Sequence, residues 1–196
     1  MFGLDLFYME KKIKVLRILN RLNLGGPTYN VVFLSRFLSN EFETKLVAGK
    51  KLKFEASSKF IVKKYKVKVN IINQMSRNIS FFDDIISFFK ILKIAIKFKP
   101  DIIHTHAAKS GFIGRLLTIF YPIPVVFHTF HGHIFHSYFN KLKTNFFIFL
   151  EKLLALKTSR IIAISKEQKN EIANKFKIAN KKKISVVNLG IDVEEF

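Results

Sequence analysis

Seven short runs of apolar, mostly branched residues, separated by segments with helical spacing, constrain this chain more than any other feature. The runs fall at residues 12–19 (KIKVLRIL), 45–48, 67–72, 101–105 (DIIHT), 124–130 (PVVFHTF), 160–165 (RIIAIS) and 183–187 (KISVV). Between them, residues 29–38, 81–98, 110–120, 139–157 and 166–175 repeat apolar positions at three- and four-residue intervals, the signature of helices with one buried stripe. A strand that is apolar on both faces must be covered on both, and crossovers of ten or more residues join parallel neighbours. The pattern predicts an α/β fold with a doubly wound, mostly parallel, Rossmann-like sheet. Residues 50–66 fit neither period and are left unassigned.

At 196 residues the chain holds one core. An apolar content of 49% rules out disorder from lack of core material, and the absence of cysteine removes disulfides and thiolate metal sites. A cysteine-free chain with no basic segment ahead of an apolar stretch at its start reads as cytoplasmic. Residues 1–8 read as a disordered or misassigned start, residues 9–188 as the domain, and residues 189–196 as the beginning of a linker. Residues 116–140 carry no charge, but Pro122, Pro124 and the histidines among them argue against a membrane span. The net charge of +20 comes mainly from lysines spread along the chain, so it does not mark a nucleic-acid reader, which clusters arginine with aromatics.

In an open parallel sheet, ligands bind outside the carboxyl ends of the strands. Three clusters fall there. Gly25-Gly26 lies between the first strand and its helix, where bare backbone can approach an anion at a helix N-terminus; a tight turn with no ligand is the bland alternative. His104, His106 and Lys109 follow the fourth strand, and His128, His131 and His133 follow the fifth. The pairs His104/His106 and His131/His133 have the spacing to share a strand face, but no carboxylate accompanies them, so no metal site is expected. A histidine that merely caps a strand end is the alternative for any one of them. Imidazoles with Lys109 on one crevice suit recognition of phosphate and sugar hydroxyls.

The ordered stretches LNRLNLGGP at 19–27, LVAGK at 46–50, KPDIIHTHAAKSGFIGRL at 99–116, PVVFHTFHGHIFHSYF at 124–139, RIIAISKEQ at 160–168 and KISVVNLGIDVEEF at 183–196 resemble the family-4 retaining glycosyltransferases of the GT-B fold, of the bacterial polysaccharide and lipid-linked glycan type. The resemblance implies the N-terminal domain alone, without the C-terminal nucleotide-binding domain. It implies transfer of a sugar from a nucleotide diphosphate donor to a glycan or lipid-linked acceptor with retention, no bound cofactor or metal, and no activity without the second domain. It places Gly25 and Gly26 near the donor diphosphate, His131 at the catalytic position beside the transferred sugar, and His106, Lys109 and His133 in the acceptor-side cleft. A separate chain carrying the C-terminal domain and an anionic membrane surface are its implied partners, with peripheral contact to the inner face of the cytoplasmic membrane. The rival reading is a non-catalytic remnant or a glycan- or partner-binding module.

Overall fold

In the computed structural model, which describes residues 11–132 and 140–193, the chain alternates strand and helix throughout. The elements are β1 (Ile13–Leu19), α1 (Gly26–Arg36), β2 (Phe42–Gly49), α2 (Lys59–Lys64), β3 (Val69–Ile72), α3 (Phe81–Phe98), β4 (Ile102–His106), α4 (Ala108–Phe120), β5 (Val125–Phe130), α5 (Lys141–Lys157), β6 (Arg160–Ala163), α6 (Lys166–Asn170) and β7 (Ile184–Val186). The strands form one sheet in the order β3-β2-β1-β4-β5-β6-β7, and every neighbouring pair is parallel. The expected start at residues 1–8 lies outside the described residues.

Each strand alternates its side chains between two cores. Leu16 and Ile18 of β1 join Ile91 and Ala95 of α3 and Ile113 and Leu117 of α4 on one face. Leu19 joins Val31 and Val32 of α1, Leu46 and Ala48 of β2, and Ile61 of α2 on the other. A third cluster links Ala155 of α5, Ile161 and Ala163 of β6 and Ile172. Burial on both faces is why these strands read as continuous apolar runs.

Boundaries follow local chemistry. The bounds of α3 match its expected range because Ser80 is extended before it, Lys99 closes it in a left-handed conformation (φ 53°), and Pro100 cannot continue it. By contrast, α1 begins three residues before its expected start: Pro27 occupies its first turn and the Gly25 carbonyl accepts from the Thr28 and Tyr29 amides. The helix expected at 166–175 is interrupted, with α6 giving way to one π turn at Glu171–Lys175. The unassigned segment contains α2 and an antiparallel bridge from Ser57 to Asn23. It is pinned by Arg21, whose Nε donates to Glu55 Oε1 at 2.7 Å.

A Cβ on Gly49, the last residue of β2, would run into the backbone oxygens of Asn20 and Met75. Neither can rotate away, so Gly49→Ala should cost about 3 kcal/mol, at the upper end of ordinary overpacking. Urea denaturation of the purified variant measures this, and a loss below about 1 kcal/mol would show that the β1 and β3 loops yield.

Candidate functional site

The strand order reverses its winding between β1 and β4. The chain leaves β1 for α1 on one face and leaves β4 for α4 on the other, so a crevice opens at their carboxyl ends. Gly25 and Gly26 line it at the start of α1, whose first turn holds no acidic residue and no capping side chain. Cβ atoms added at these glycines would meet nothing closer than 3.7 Å, but Gly25, at φ 158° and ψ 167°, holds a backbone conformation that favours glycine, so only Gly26 has no reason internal to the fold. Pro27 has no N–H and the Thr28 and Tyr29 amides are taken by the Gly25 carbonyl, so what this end offers an anion is the Gly25–Gly26 backbone and the helix dipole.

Beneath the crevice runs a polar network. Arg17 of β1 is 2% exposed and its Nη1 lies 2.8 Å from His104 Nδ1. Guanidinium only donates, so His104 Nδ1 is a bare acceptor and its Nε2–H donates to Thr129 Oγ1 at 2.8 Å. Burial lowers Arg17 to about 10, which leaves it charged at neutral pH. Its Nε has no partner among the described residues.

His106, in register with Leu19 at the end of β1, places Nδ1 3.0 Å from His131 Nε2, with the two rings stacked at 5.3 Å. Burial, reinforced by His104, His131 and Arg17, holds His106 well below the usual histidine range, and burial takes His131 down to about 4. Both are therefore neutral at pH 7. Two neutral imidazoles carry two N–H groups, and one is used in their mutual bond. The outer nitrogens, His106 Nε2 and His131 Nδ1, have no partner among the described residues. One of them must be a free donor and the other a free acceptor. Both outer nitrogens are buried; the pair holds the donor and the acceptor that a hydroxyl would need, and neither ring supplies a cation to a phosphate.

The other expected residues divide. His128 lies on the opposite face, with Nδ1 2.8 Å from Thr105 Oγ1 and its ring against Gly111, where a Cβ would collide with it. Lys109 does not join the histidines: its ammonium binds the Asp84 carboxylate and the Asn78 carbonyl, tying α4 to the start of α3. A lysine in the first turn of a helix faces the positive end of the dipole, and a carboxylate from the next helix relieves that conflict. His133 lies outside the described residues. Among the described residues, no group of three or more histidines and carboxylates is arranged to hold a metal ion.

Three residues at the site carried no recognised sequence signal. Arg17 is one charge inside an apolar run, Thr129 sits between two histidines, and Ala107 is an unremarked alanine. Ala107 joins β4 to α4 at φ 70° and ψ 166°, a region that is nearly glycine's alone. Ala107→Gly should therefore stabilise the fold by about 1 kcal/mol, read as a raised urea midpoint. An unchanged or lowered midpoint would mean that the strain is relieved elsewhere.

On the α1 side, a cleft of about 500 Å³ is lined by Phe33 of α1, Phe37 just after it, residues 187–193, His104 and Thr129. Tyr65 Oη donates to Asp192 Oδ2 at 2.6 Å and anchors the far end of that segment.

A switch-point crevice with a glycine-opened helix on one side and paired neutral histidines on the other has the layout in which folds of the Rossmann type bind ligands. The profile of glycosyltransferase family 4 matches residues 25–195, and the chain belongs to that family. It is 36% identical over 130 residues to the UDP-Gal:alpha-D-GlcNAc-diphosphoundecaprenol alpha-1,3-galactosyltransferase of Escherichia coli, a match covering 66% of this chain and 33% of that protein. It is 27% identical over 129 residues to the capsular polysaccharide biosynthesis glycosyltransferase CapM of Staphylococcus aureus, with the same coverage. The match thus spans about a third of the length of these relatives. Among solved structures, a glycosyltransferase from Rickettsia africae superposes with a TM-score of 0.67 at 18% identity, covering 94% of this chain and 45% of that one. Anabaena Alr3699/HepE, solved with UDP and glucose, gives 0.64 at 14% identity over 91% and 45%. The fold is the Rossmann-like N-terminal half of the GT-B architecture.

Proposed function

We propose that this chain is the acceptor-side half of a retaining sugar transferase that moves a sugar from a nucleotide diphosphate donor to a lipid-linked or glycan acceptor. The observation that carries the reading is the neutral His106–His131 pair at the switch point, beside the crevice that the Gly25–Gly26 backbone opens at the start of α1. In transfer, the bond from the sugar's anomeric carbon to the donor phosphate oxygen breaks and a bond to an acceptor hydroxyl oxygen forms. The hydroxyl proton passes to the departing diphosphate. The backbone at Gly25 and Gly26 faces that diphosphate, and the positive end of α1 stabilises its growing charge. His131 binds a hydroxyl of the transferred sugar through its free nitrogen, and His106 holds the ring in place. His106 borders the acceptor, Lys109 fixes the start of α4 beside it, and the family resemblance assigns His133 to the same cleft.

The donor is a co-substrate, and the structure of Alr3699/HepE in complex with UDP and glucose supports a nucleotide-sugar donor for this fold. The alpha-D-GlcNAc-diphosphoundecaprenol named for the Escherichia coli relative supports a lipid-linked acceptor. These residues form one wall of a cleft. With the other side of the diphosphate open to water the preorganised field is weak, and the chain by itself should transfer no sugar at a measurable rate.

The test is nucleoside diphosphate release from a panel of sugar donors, with this chain assembled with a C-terminal-domain chain. His131→Ala should lower turnover roughly 10²-fold while leaving the urea midpoint within experimental error. Full turnover in that variant would remove His131 from the reaction. No release from a folded, assembled protein would favour a glycan- or partner-binding module instead.

A further inference from the structure

Arg17 is a cation buried inside an apolar strand, and packing gives no reason for its charge. Residues alternate along β1, so Arg17 points with Leu19 to the α1 side of the sheet, between Leu46 of β2 and His104 of β4. Among the described residues no carboxylate pairs with it, and its Nε has no partner either. Arg115 on the opposite face is buried as deeply but carries its own carboxylate, Glu151. An apolar side chain of similar volume would fill the place of Arg17 without the cost of an unpaired buried charge. A local rule broken beside a candidate site points to a charge that the site uses.

That charge has a direct route to the histidine pair. Arg17 Nη1 donates to His104 Nδ1 at 2.8 Å, the His104 ring lies 4.1 Å from that of His106 at a tilt of 34°, and His106 stacks on His131 at 5.3 Å. His106 therefore stands next to the clamped ring, and His131 one ring further out. Their basicity follows the same order: burial, then His104, His131 and Arg17 lower His106, whereas for His131 burial is the cause.

The bond between His106 Nδ1 and His131 Nε2 can be made in two ways. If His106 donates, both rings carry their proton on Nδ1, so His131 Nδ1–H is the free donor and His106 Nε2 the free acceptor. If His131 donates, both carry it on Nε2 and the roles exchange. The intrinsic preference of neutral histidine for Nε2–H favours the second arrangement. The first puts the bare nitrogen on the ring nearer the cation and the free proton on the ring further away. In a dry interior a unit charge outweighs the small intrinsic preference.

We infer that Arg17 is a positioning residue that sets the polarity of the pair, making His131 the donor and His106 the acceptor. On the sugar-transfer reading, His131 then donates to a hydroxyl of the transferred sugar. His106 accepts from a neighbouring hydroxyl of the acceptor, which leaves the attacking hydroxyl free to pass its proton to the departing diphosphate. Only these two assignments rest on that reading.

Long-range proton–nitrogen correlation spectra of the imidazoles, recorded on the chain at pH 7.5, read the tautomers directly. His106 and His131 should carry the proton on Nδ1, and His104 on Nε2. Arg17→Met keeps the volume and should not lower the urea midpoint, yet His106 and His131 should switch to Nε2–H. Arg17→Lys, which returns a cation, should restore Nδ1–H. Nε2–H signals at the pair in the unsubstituted chain, or Nδ1–H signals that persist in Arg17→Met, overturn the inference. In the assembled protein, kcat for nucleoside diphosphate release should fall roughly tenfold in Arg17→Met and recover in Arg17→Lys. A tautomer switch that left kcat unchanged would overturn the positioning role. The spectra need no sugar donor. If the unsubstituted assembly releases no diphosphate, the transferase reading falls, and the tautomers still decide whether Arg17 sets the pair.

Discussion

Acidification from pH 7.5 to pH 5.5 should remove up to roughly 6 kcal/mol of folding stability, much or all of what a domain of this size commands. His104, His106 and His128 are held well below the ordinary value of 6.5, foremost by burial and then by neighbouring cations and imidazoles. Burial brings His131 to about 4. Each is neutral in the folded chain and takes up a proton on unfolding once the pH drops below 6.5. The unfolded state then binds more protons, so stability is fully present above that value and falls as pH falls. The slope is about 1.4 kcal/mol per pH unit for each histidine that stays neutral. Urea denaturation at pH 7.5, 6.5 and 5.5 measures it. A midpoint that did not move would mean that the rings already carry protons in the fold, which the Arg17–His104 bond forbids for His104. Imidazole NMR signals flat from pH 7 down to pH 5 would confirm the cause as well as the size.

The same histidines show how far the sequence could be read. Their position at strand ends was legible, because apolar runs and turns locate those ends without knowledge of strand order. Which rings meet was not. His104 and His106 are two apart on one strand and share a face, as expected. His128 and His131 are three apart and fall on opposite sides, and parallel pairing sets His106 opposite Thr129. The contact that organises the site, His106 with His131, spans two strands and depends on that register. The partner of Lys109 was hidden for a similar reason: Asp84 lies on another helix, and nothing near Lys109 in sequence announces it. Ala107 could not be read at all, since backbone strain leaves no mark on residue type. Where one period ran long between clear stops, as in α3, the bounds agree. Where an element has only six residues, as in α2, no period exists to be seen.

Removing the guanidinium of Arg115 should destabilise the chain by about 3–5 kcal/mol, the usual penalty for orphaning a buried charge. Arg115 is fully buried on α4, and its Nη2 donates to both carboxylate oxygens of Glu151 on α5, at 2.9 and 2.8 Å. Its Nε donates to the Gly111 carbonyl at 2.8 Å, one helical turn back. Arg115→Met leaves the Glu151 carboxylate facing an apolar side chain, whereas Arg115→Met/Glu151→Leu removes both charges and keeps the volume. The double variant should recover most of the loss, because desolvating two ions cancels much of what their attraction gains. Urea midpoints of the two singles and the double give the coupling directly. Two singles that each cost under 1 kcal/mol would show water reaching the pair. A destabilised double would mean that the pair fixes the packing angle between α4 and α5, and with it the position of Gly111 beneath His128. If the pair is purely a packing device, the double variant should also keep full sugar transfer in the assembled enzyme. That outcome would separate it from the histidines on the opposite face, where loss of His131 should lower turnover roughly 10²-fold and spare the fold.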